Sequence, residues 1–247
     1  MIYKLNINHD PKMRGVKGSQ IQPDQNNYGM EMLYDFFIYK NNFYSNIGAE
    51  IPFDFILESI IKKGAKLTDV LHQGHINASI GLVVSKKFRD FISGYSLIPC
   101  EWYELKIKDS KSEYIEEEYY WMYPHRLVEV IDFELTSKES KSIIEYSNEE
   151  GFVNLRYQSK SLIDQIEQKY PFNSPEKFVK IQTIQQSIAP RKIFLKEKNI
   201  EKKYDFFGFK YDVNWYISEK LKNDFETIRL SGFEIGELTL NDVIEFA

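Results

Sequence analysis

One pattern occurs twice in this chain: an apolar strand, a serine, an amphipathic helix and a second strand. In the first copy, residues 82–84 form the apolar run, Ser85 follows it, and residues 100–107 return to strand-like alternation. The apolar positions between them, at helical spacing, are Phe88, Phe91, Ile92 and Tyr95. A serine between a strand and a helix is typical of an N-cap, whose hydroxyl accepts a hydrogen bond from the first turn. The pattern therefore predicts strand, capped helix, strand.

The second copy covers residues 215–238, with Ser218 lying 133 residues after Ser85. Its apolar helical positions are Leu221, Phe225 and Ile228. Identical residues occupy four pairs of positions: Ser85/Ser218, Lys87/Lys220, Leu97/Leu230 and Glu104/Glu237. These matches favour a true repeat, although strand, serine cap and helix also recur together as a common supersecondary unit.

The repeat sets the expected fold class. We expect an α+β protein with mixed and antiparallel sheets, short amphipathic helices and two similar strand-helix-strand units. A chain of 247 residues is close to the size at which single cores stop growing, about 250 residues. We therefore predict an N-terminal lobe over 1–150 and a C-terminal lobe over 151–247, and packing of both as one domain stays open.

Local patterns predict further elements outside the repeat. Glycine, proline and asparagine in a segment with few apolar residues indicate a loop, aromatic runs favour strands, and apolar residues three and four apart favour a helix. On these grounds we expect a loop at 11–29, a strand at 33–39, a helix at 53–61, hairpin strands at 119–135, a linker at 137–150, and helices at 162–170 and 181–188.

Motifs for common enzymatic chemistry are missing from the sequence. Cys100 is the only cysteine, and His72 and His75 lie three residues apart without the spacing of a zinc protease helix. The string at 15–19 resembles a phosphate loop but lacks its Gly-Lys-Ser/Thr ending. We therefore expect no catalytic residue, no metal site and no cofactor, and a protein that is not an enzyme.

Charge and chain pattern limit the partners. The net charge of -5 argues against binding nucleic acid or an anionic membrane, which needs a basic surface, and a basic protein partner fits better. The N-terminal residues alternate polar and apolar side chains without an export signal, and no apolar run is long enough to span a membrane. We expect a cytoplasmic location, which a single cysteine also suits.

The most unusual local composition lies at 113–123, where acidic and aromatic residues are mixed. Aromatic side chains anchor protein interfaces, and carboxylates steer a basic partner. The candidate partner-binding residues are Glu113, Glu116, Glu117, Glu118, Tyr119, Tyr120, Trp121 and Tyr123. The alternative is a hairpin with a charged tip and an aromatic strand.

Several of these strings together resemble a known family. They are Leu82-Val83-Val84-Ser85-Lys86-Lys87-Phe88, Leu97-Ile98-Pro99, Trp102-Tyr103-Glu104-Leu105, Tyr119-Tyr120-Trp121-Met122, Ile131-Asp132-Phe133-Glu134, and the C-terminal Tyr216-Ile217-Ser218-Glu219-Lys220-Leu221 with Leu230-Ser231-Gly232-Phe233-Glu234. The chain is similar here, over 82–135 and 215–238, to bacterial immunity proteins found beside polymorphic toxins. The resemblance implies a cytosolic protein of interbacterial competition that binds and neutralises a cognate toxin, with no catalytic residues to carry over.

Three functions follow as hypotheses. The first is an immunity protein, or antitoxin, whose partner is the toxin encoded by a neighbouring gene. The second is an enzyme acting on a small molecule or nucleotide near the 11–29 loop, using Lys17, His72, His75 or scattered carboxylates. The third is a scaffold or homo-oligomer that uses the aromatic strands as its interface. The oligomeric state stays open.

Overall fold

The computed structural model of the protein describes residues 1–24, 28–37, 50–73, 80–127, 129–131, 143–148, 151–154, 187–189, 193–196, 199–209, 212, 214–238 and 244–246. The strands are β1 (Ile2–Ile7), β2 (Ile21–Pro23), β3 (Leu57–Ile61), β4 (Val70–Leu71), β5 (Leu82–Ser85), β6 (Cys100–Lys108), β7 (Tyr119–Pro124), β8 (Ile143–Asn148), β9 (Gly151–Asn154), β10 (Ser187–Ala189), β11 (Ile193–Leu195), β12 (Phe206–Phe207), β13 (Trp215–Ser218), β14 (Phe233–Glu237) and β15 (Ile244–Phe246). The helices are α1 (Pro11–Arg14), α2 (Tyr28–Phe37), α3 (Lys86–Ile92) and α4 (Glu219–Thr227), with a 3-10 helix at Ile200–Lys202.

Mixed and antiparallel sheets with few short helices confirm the predicted α+β class. The largest sheet has six strands in the order β2-β3-β6-β7-β5-β4, and a second sheet has four in the order β12-β13-β1-β14. Two small sheets, β10-β8-β9 and β11-β15, complete the described set. None of the helices in the described part of the chain is long and apolar enough to cross a membrane.

Both predicted strand-helix-strand units are confirmed, and each contains a strand that the repeat pattern did not predict. In the first unit β5 and β6 do not pair with each other, because β7 lies between them and pairs antiparallel with both. In the second unit β1, from the start of the chain, lies between β13 and β14 in the same way. Strands β4-β5-β7-β6 therefore correspond in order and direction to β12-β13-β1-β14.

The register of the strands supports this correspondence residue by residue. Glu104 pairs with Tyr120 in the first unit, and Glu237 pairs with Tyr3 in the second. Ser85 pairs with Tyr119, and its counterpart Ser218 pairs with Ile2. The offset of 133 residues thus holds from β5 and β13 through β6 and β14. The repeat is a property of the fold as well as of the sequence.

Two aspartates connect the repeats to each other. Asp69 accepts hydrogen bonds from Ser85 Oγ (2.8 Å) in its own unit and from the backbone N–H of Ser231 (2.8 Å) in the other. Asp205 likewise accepts from Ser218 Oγ (2.6 Å) and from the N–H of Ser96 (3.1 Å). We call these two sets of contacts the aspartate bridges.

The aspartate bridges also correct one sequence match. By its contacts Ser96 corresponds to Ser231, an offset two residues larger than that of the strands. Helix α4 has nine residues and α3 has seven, so the loop that follows α4 is shifted by two positions along the sequence. Leu97 and Leu230, which are identical in the aligned sequence, are therefore not structural equivalents.

The main core lies between the two repeats. Its aromatic centre joins the helices, with Phe88 of α3 stacked on Phe225 of α4 at 5.7 Å between ring centroids and Phe233 edge-on to Phe88 at 5.9 Å. Residues from both predicted lobes contribute to this core. A second core lies on the other face of the six-stranded sheet, under α2, where Phe37 contacts Trp121 and Tyr123. The division at residue 150 stays a prediction.

The predicted helix at 53–61 is wrong. Residues 57–61 form β3, which pairs with β2 on one side and β6 on the other, and Ile56, which the helix would bury, is 66% exposed. Isoleucine is β-branched and suits a strand, and hydrogen bonds to two neighbouring strands override the local helical spacing.

The predicted strand at 33–39 is also wrong where the structure describes it. Helix α2 ends at Phe37, and Leu33 and Phe37 are both buried four residues apart, on one helical face. Residues 38 and 39 lie outside the described residues. The aromatic composition favoured a strand, but the positions that face the core follow helical spacing.

The segment 11–29 is not one long loop. Asp10 caps α1 by accepting a hydrogen bond from the N–H of Lys12 (2.9 Å), Pro11 opens the helix, and Gly15 closes it with φ 76°. Strand β2 follows, and α2 begins at Tyr28. Aspartate, proline and glycine here mark the ends of a helix, which they do as readily as they mark turns.

Two further predictions are corrected or remain undescribed. The predicted linker 137–150 contains β8, which pairs with β9 and β10, and the C-terminal end of the predicted helix 181–188 belongs to strand β10. In the predicted hairpin strands, β7 is confirmed, while Leu127 and Ile131 form only isolated bridges. Residues 132–135 and the predicted helix 162–170 lie outside the described residues.

Candidate functional site

A concavity of about 480 Å³ opens between β6 and the segment that leads into β7, and we call it the acidic concavity. Its lining residues are Glu104, Leu105, Lys106, Ile107, Tyr114, Ile115, Glu116, Glu117, Glu118, Tyr119 and Tyr120. Four of them are glutamates and one is a lysine. The concavity therefore carries a local negative charge well above the protein average, which favours cationic groups.

A turn at Asp109 shapes one wall of the acidic concavity. Its carboxylate accepts hydrogen bonds from the N–H groups of Lys111 (2.7 Å) and Glu113 (3.0 Å), and the chain turns through Ser112 at φ 67°. The N–H of Ile115 then donates to the carbonyl of Ile107 (2.9 Å), which returns the segment to the edge of β6. These contacts hold the acidic run in a defined position.

A polar network fixes Tyr114 at the rim. Its hydroxyl donates to Glu58 Oε1 (2.6 Å), and Lys108 Nζ donates to Glu58 (3.1 Å) and Asp24 (2.9 Å). The hydrogen bond from Tyr114, and then that from Lys108, lowers the pKa of Glu58. Tyr114 is 56% exposed, so it presents an aromatic face to solvent while its hydroxyl is held.

The predicted site residues divide into two groups. The four glutamates, Glu113, Glu116, Glu117 and Glu118, are exposed, and Tyr120 is half-buried with its hydroxyl donating to Glu118 (3.0 Å). These residues agree with an outward-facing surface. All but Glu113 line the acidic concavity.

Tyr119, Trp121 and Tyr123 are buried, which corrects their prediction as surface contacts. Because β7 is paired on both sides and both faces of its sheet are covered, alternate side chains point into the core under α2. Tyr119 donates its hydroxyl to the carbonyl of Thr68 (3.0 Å), and burial raises its pKa. These three side chains stabilise the sheet.

Sequence reasoning missed six residues that line the acidic concavity, namely Glu104, Leu105, Lys106, Ile107, Tyr114 and Ile115. Tyr114 lies within the acidic and aromatic run but was not among the predicted contacts, and Glu104 was identified only as a repeat match. Glu104 points out of β6 between inward-facing neighbours, and its strand alternation with Leu105 and Ile107 is the signal that could have placed it on the surface.

The second repeat has a concavity at the equivalent place, of about 550 Å³. It is lined by Met1, Ile2, Tyr3, Asn199, Glu201, Glu237 and Leu238. Tyr3 and Glu237 correspond to Tyr120 and Glu104. Two glutamates, Glu201 and Glu237, line this second concavity, compared with four in the acidic concavity.

The residues considered for catalysis do not converge on the acidic concavity. Ser85 and Ser218 accept hydrogen bonds from Phe88 (3.2 Å) and Leu221 (3.1 Å), so both serines are helix N-caps, as predicted. Burial raises the pKa of the Cys100 thiol to about 12, which leaves it a poor nucleophile near neutral pH. His125, near it in the sheet, hydrogen-bonds Glu101 instead (2.7 Å).

Two of the three residues named for an enzyme near 11–29 lie within the described part of the chain. Lys17 is exposed, His72 is half-buried beside His9 at 5.0 Å between ring centroids, and His75 lies outside the described residues. Over the described part of the chain, no group of three or more His, Cys, Asp or Glu side chains is placed to hold a metal ion.

Comparison with models of known protein families and with curated proteins finds no match for this chain.

Proposed function

We propose that the protein is an immunity protein that binds and neutralises a bacterial toxin through the acidic concavity. The observation that carries the proposal is the concavity itself, whose lining includes four glutamates and the exposed ring of Tyr114. An aromatic side chain beside several carboxylates suits a basic protein surface. The aromatic side chain supplies contact area, and the negative charges accelerate encounter. The family resemblance of 82–135 and 215–238 points to the same class.

The framework behind the concavity suits rigid recognition. The glutamates follow a turn fixed by Asp109, and the buried aromatic residues of β7 support the sheet from behind. A backbone segment that is ordered before binding loses less conformational entropy on association. A tight inhibitor of a toxin benefits from such preorganisation.

The proposal is tested with the toxin encoded beside the gene. Co-expression should rescue growth, and the purified proteins should form a complex whose association rate falls with rising salt, as expected for opposite charges. The double reversal Glu116→Lys with Glu117→Lys should slow association by about tenfold or more and weaken rescue.

Glu50 and Asp54 provide the matched control. Both are exposed, and reversing both to lysine changes the net charge by the same amount outside the concavity. That control should retain most of the association rate. Equal effects of the two double variants would reject the concavity as the binding site, and failure to form any complex would reject the toxin as the partner.

A further inference from the structure

Strand β14 forms an edge of the four-stranded sheet that no described residue covers. The other edges of the two larger sheets are bonded to neighbouring segments: β12 through a bridge to Leu97, β2 through a bridge to Gln73, and β4 through a hydrogen bond to the carbonyl of Ser231 (2.9 Å). Proteins cover or interrupt their edge strands because unpaired backbone groups recruit other strands. The edge at β14 therefore departs from the pattern of the rest of the fold.

The hydrogen-bond pattern fixes which groups of β14 are open. The strand pairs antiparallel with β1, and the ladder continues to Asn8, whose N–H donates to the carbonyl of Gly232 (3.0 Å). Hydrogen-bonded pairs alternate along an antiparallel ladder, so Phe233, Ile235 and Glu237 point their N–H and C=O groups away from β1. None of the described residues is hydrogen-bonded to these outward groups. The outer side of β14 thus offers a regular row of donors and acceptors.

This edge is also accessible and regular. Each of the five residues of β14 is half-buried or exposed. Its register with β1 is unbroken along the whole strand, so no bulge interrupts it, and β14 contains no proline or lysine. Bulges, prolines and lysines are devices by which edge strands commonly avoid pairing. A further strand can therefore add to β14.

Charge decides how two copies of β14 can pair. Glu234 and Glu237 are the charged residues of the strand, and both are exposed. A parallel pair in register would place each glutamate opposite its own copy, and like charges directly opposite destabilise a sheet. An antiparallel pair centred on Ile235 instead places Glu234 opposite Gly236 and Glu237 opposite Phe233. In that register the outward N–H and C=O groups of both strands bond each other, so the strand is self-complementary.

We propose that two copies of the protein pair through β14 as a two-fold symmetric dimer. The antiparallel pair joins the four-stranded sheets of both copies into one continuous sheet, with Ile235 on the symmetry axis. Such an interface is closed, because it occupies the open edge of each copy, whereas a head-to-tail contact would continue into a fibre. The acidic concavity is lined by none of the residues of β14, so dimerisation and toxin binding stand or fall separately.

The first test is the mass of the intact protein in solution, measured by light scattering over a dilution series. We expect a concentration-dependent equilibrium between one and two chains. Each chain carries a net charge of -5, so rising salt should strengthen the dimer by screening the repulsion between copies, whereas it should weaken the toxin complex. A monomer at every concentration would overturn the proposal and leave the edge to a strand of another protein. A dimer that dissociates in salt would overturn it as well.

A proline on the symmetry axis tests the edge directly. Ile235→Pro removes the central outward N–H without removing a hydrogen bond to β1. It should weaken dimerisation by about tenfold or more, because both copies lose a hydrogen bond at the axis. Circular dichroism checks that the variant keeps its fold, and a folded variant that dimerises like the wild type would reject the pairing.

Cysteine cross-linking tests the register without relying on proline. In the proposed pair the Cα atoms of the two Ile235 residues are about 5.5 Å apart, within the range of a disulfide, about 4.4–6.8 Å. The two Glu237 residues each lie opposite Phe233, at least about 13 Å from each other. Mild oxidation should therefore cross-link Ile235→Cys but not the control Glu237→Cys, and the wild type reports any contribution of Cys100. Equal cross-linking of the two variants would contradict the register.

Discussion

The two repeats share four strands and a capped helix, yet they differ in what covers the outer face of the sheet. In the first repeat Trp121 and Tyr123 of β7 pack under α2. The register places Lys4 and Asn6 of β1 at the equivalent positions of the second repeat, and both are only half-buried. The outer face of the second sheet is therefore buried at Phe207 and Tyr216, which lie on the same face as Lys4, but polar along β1.

The repeats also differ in the origin of their central strand. Strand β7 follows β6 closely in the chain, whereas β1 is separated from β13 by most of the sequence. Bringing β1 and β13 together costs more conformational entropy than pairing two strands that are close in sequence. We therefore expect the contacts of β1 with β13 to form late in folding. The first repeat can assemble from local segments, while the second needs the N-terminal strand to complete its sheet.

The largest expected difference between the repeats comes from the outer face. Trp121→Ala should reduce the free energy of unfolding by about 3–5 kcal/mol, because it removes a fully buried indole from the core under α2. Lys4→Ala, at the equivalent position, should change it by less than about 0.5 kcal/mol, as for most surface substitutions. Urea unfolding followed by circular dichroism measures both, and comparable losses would contradict the difference between β7 and β1 on this face.

The repeat was predictable from sequence because its signals are local. A serine cap and the spacing of Phe88 and Ile92 depend only on neighbouring residues, and the structure confirms them. The equivalence of β1 and β7 was not predictable in this way. Of the residues aligned between β1 and β7, only Tyr3 and Tyr120 are identical. The central strand also follows the other strands of the first repeat in sequence, whereas it precedes those of the second.

The negative charge of the site was predictable from the sequence, but which of its aromatic side chains face solvent was not. The acidic run lies on the surface as its composition indicated, yet three of the four aromatic residues predicted with it, Tyr119, Trp121 and Tyr123, are buried in the core. Strand alternation alone cannot say which face of β7 is covered, because both faces are. That depends on α2, a segment that the aromatic composition had predicted to be a strand.

The aspartate bridges allow a second comparison of the repeats. Asp205→Ala should lower the free energy of unfolding by about 2–3 kcal/mol, because Asp205 is nearly buried and the substitution leaves Ser218 Oγ and the Ser96 N–H without their acceptor. Asp69→Ala should cost less, about 1–2 kcal/mol, since Asp69 is more exposed and water can replace it.

Thermal unfolding of the two variants and of the isosteric Asp205→Asn and Asp69→Asn controls gives the comparison. Each asparagine keeps one oxygen acceptor, so it should recover part of the loss. A larger effect at Asp69 than at Asp205 would show that burial does not decide the strength of the bridges.

The helix caps provide a smaller effect of the same kind. Ser218→Ala should cost about 1–2 kcal/mol and Ser85→Ala about 1 kcal/mol, because each loses the hydrogen bond to the first turn, and Ser218 is the more buried of the two. Ser→Asp controls retain a capping oxygen but place a second carboxylate beside Asp69 or Asp205. Ser→Thr variants are therefore the better controls, and urea midpoints should show them near the wild-type value.

The smallest expected effect concerns a cation above the equivalent tyrosines. Arg89 lies over the ring of Tyr120 at 4.2 Å, and Lys222, its counterpart by the offset of the repeat, lies 5.4 Å from the ring of Tyr3. Arg89→Ala should cost about 0.5–1 kcal/mol, because a guanidinium stacks closely on an aromatic face. Lys222→Ala should cost less, since the ammonium is farther away. Lys222 also pairs with Glu226 (2.8 Å), a helical ion pair of small value.

Arg89→Lys should reduce the contribution of this position to that of Lys222. Double-mutant cycles with Tyr120→Leu and Tyr3→Leu measure whether the difference between the two positions resides in the contact with the ring.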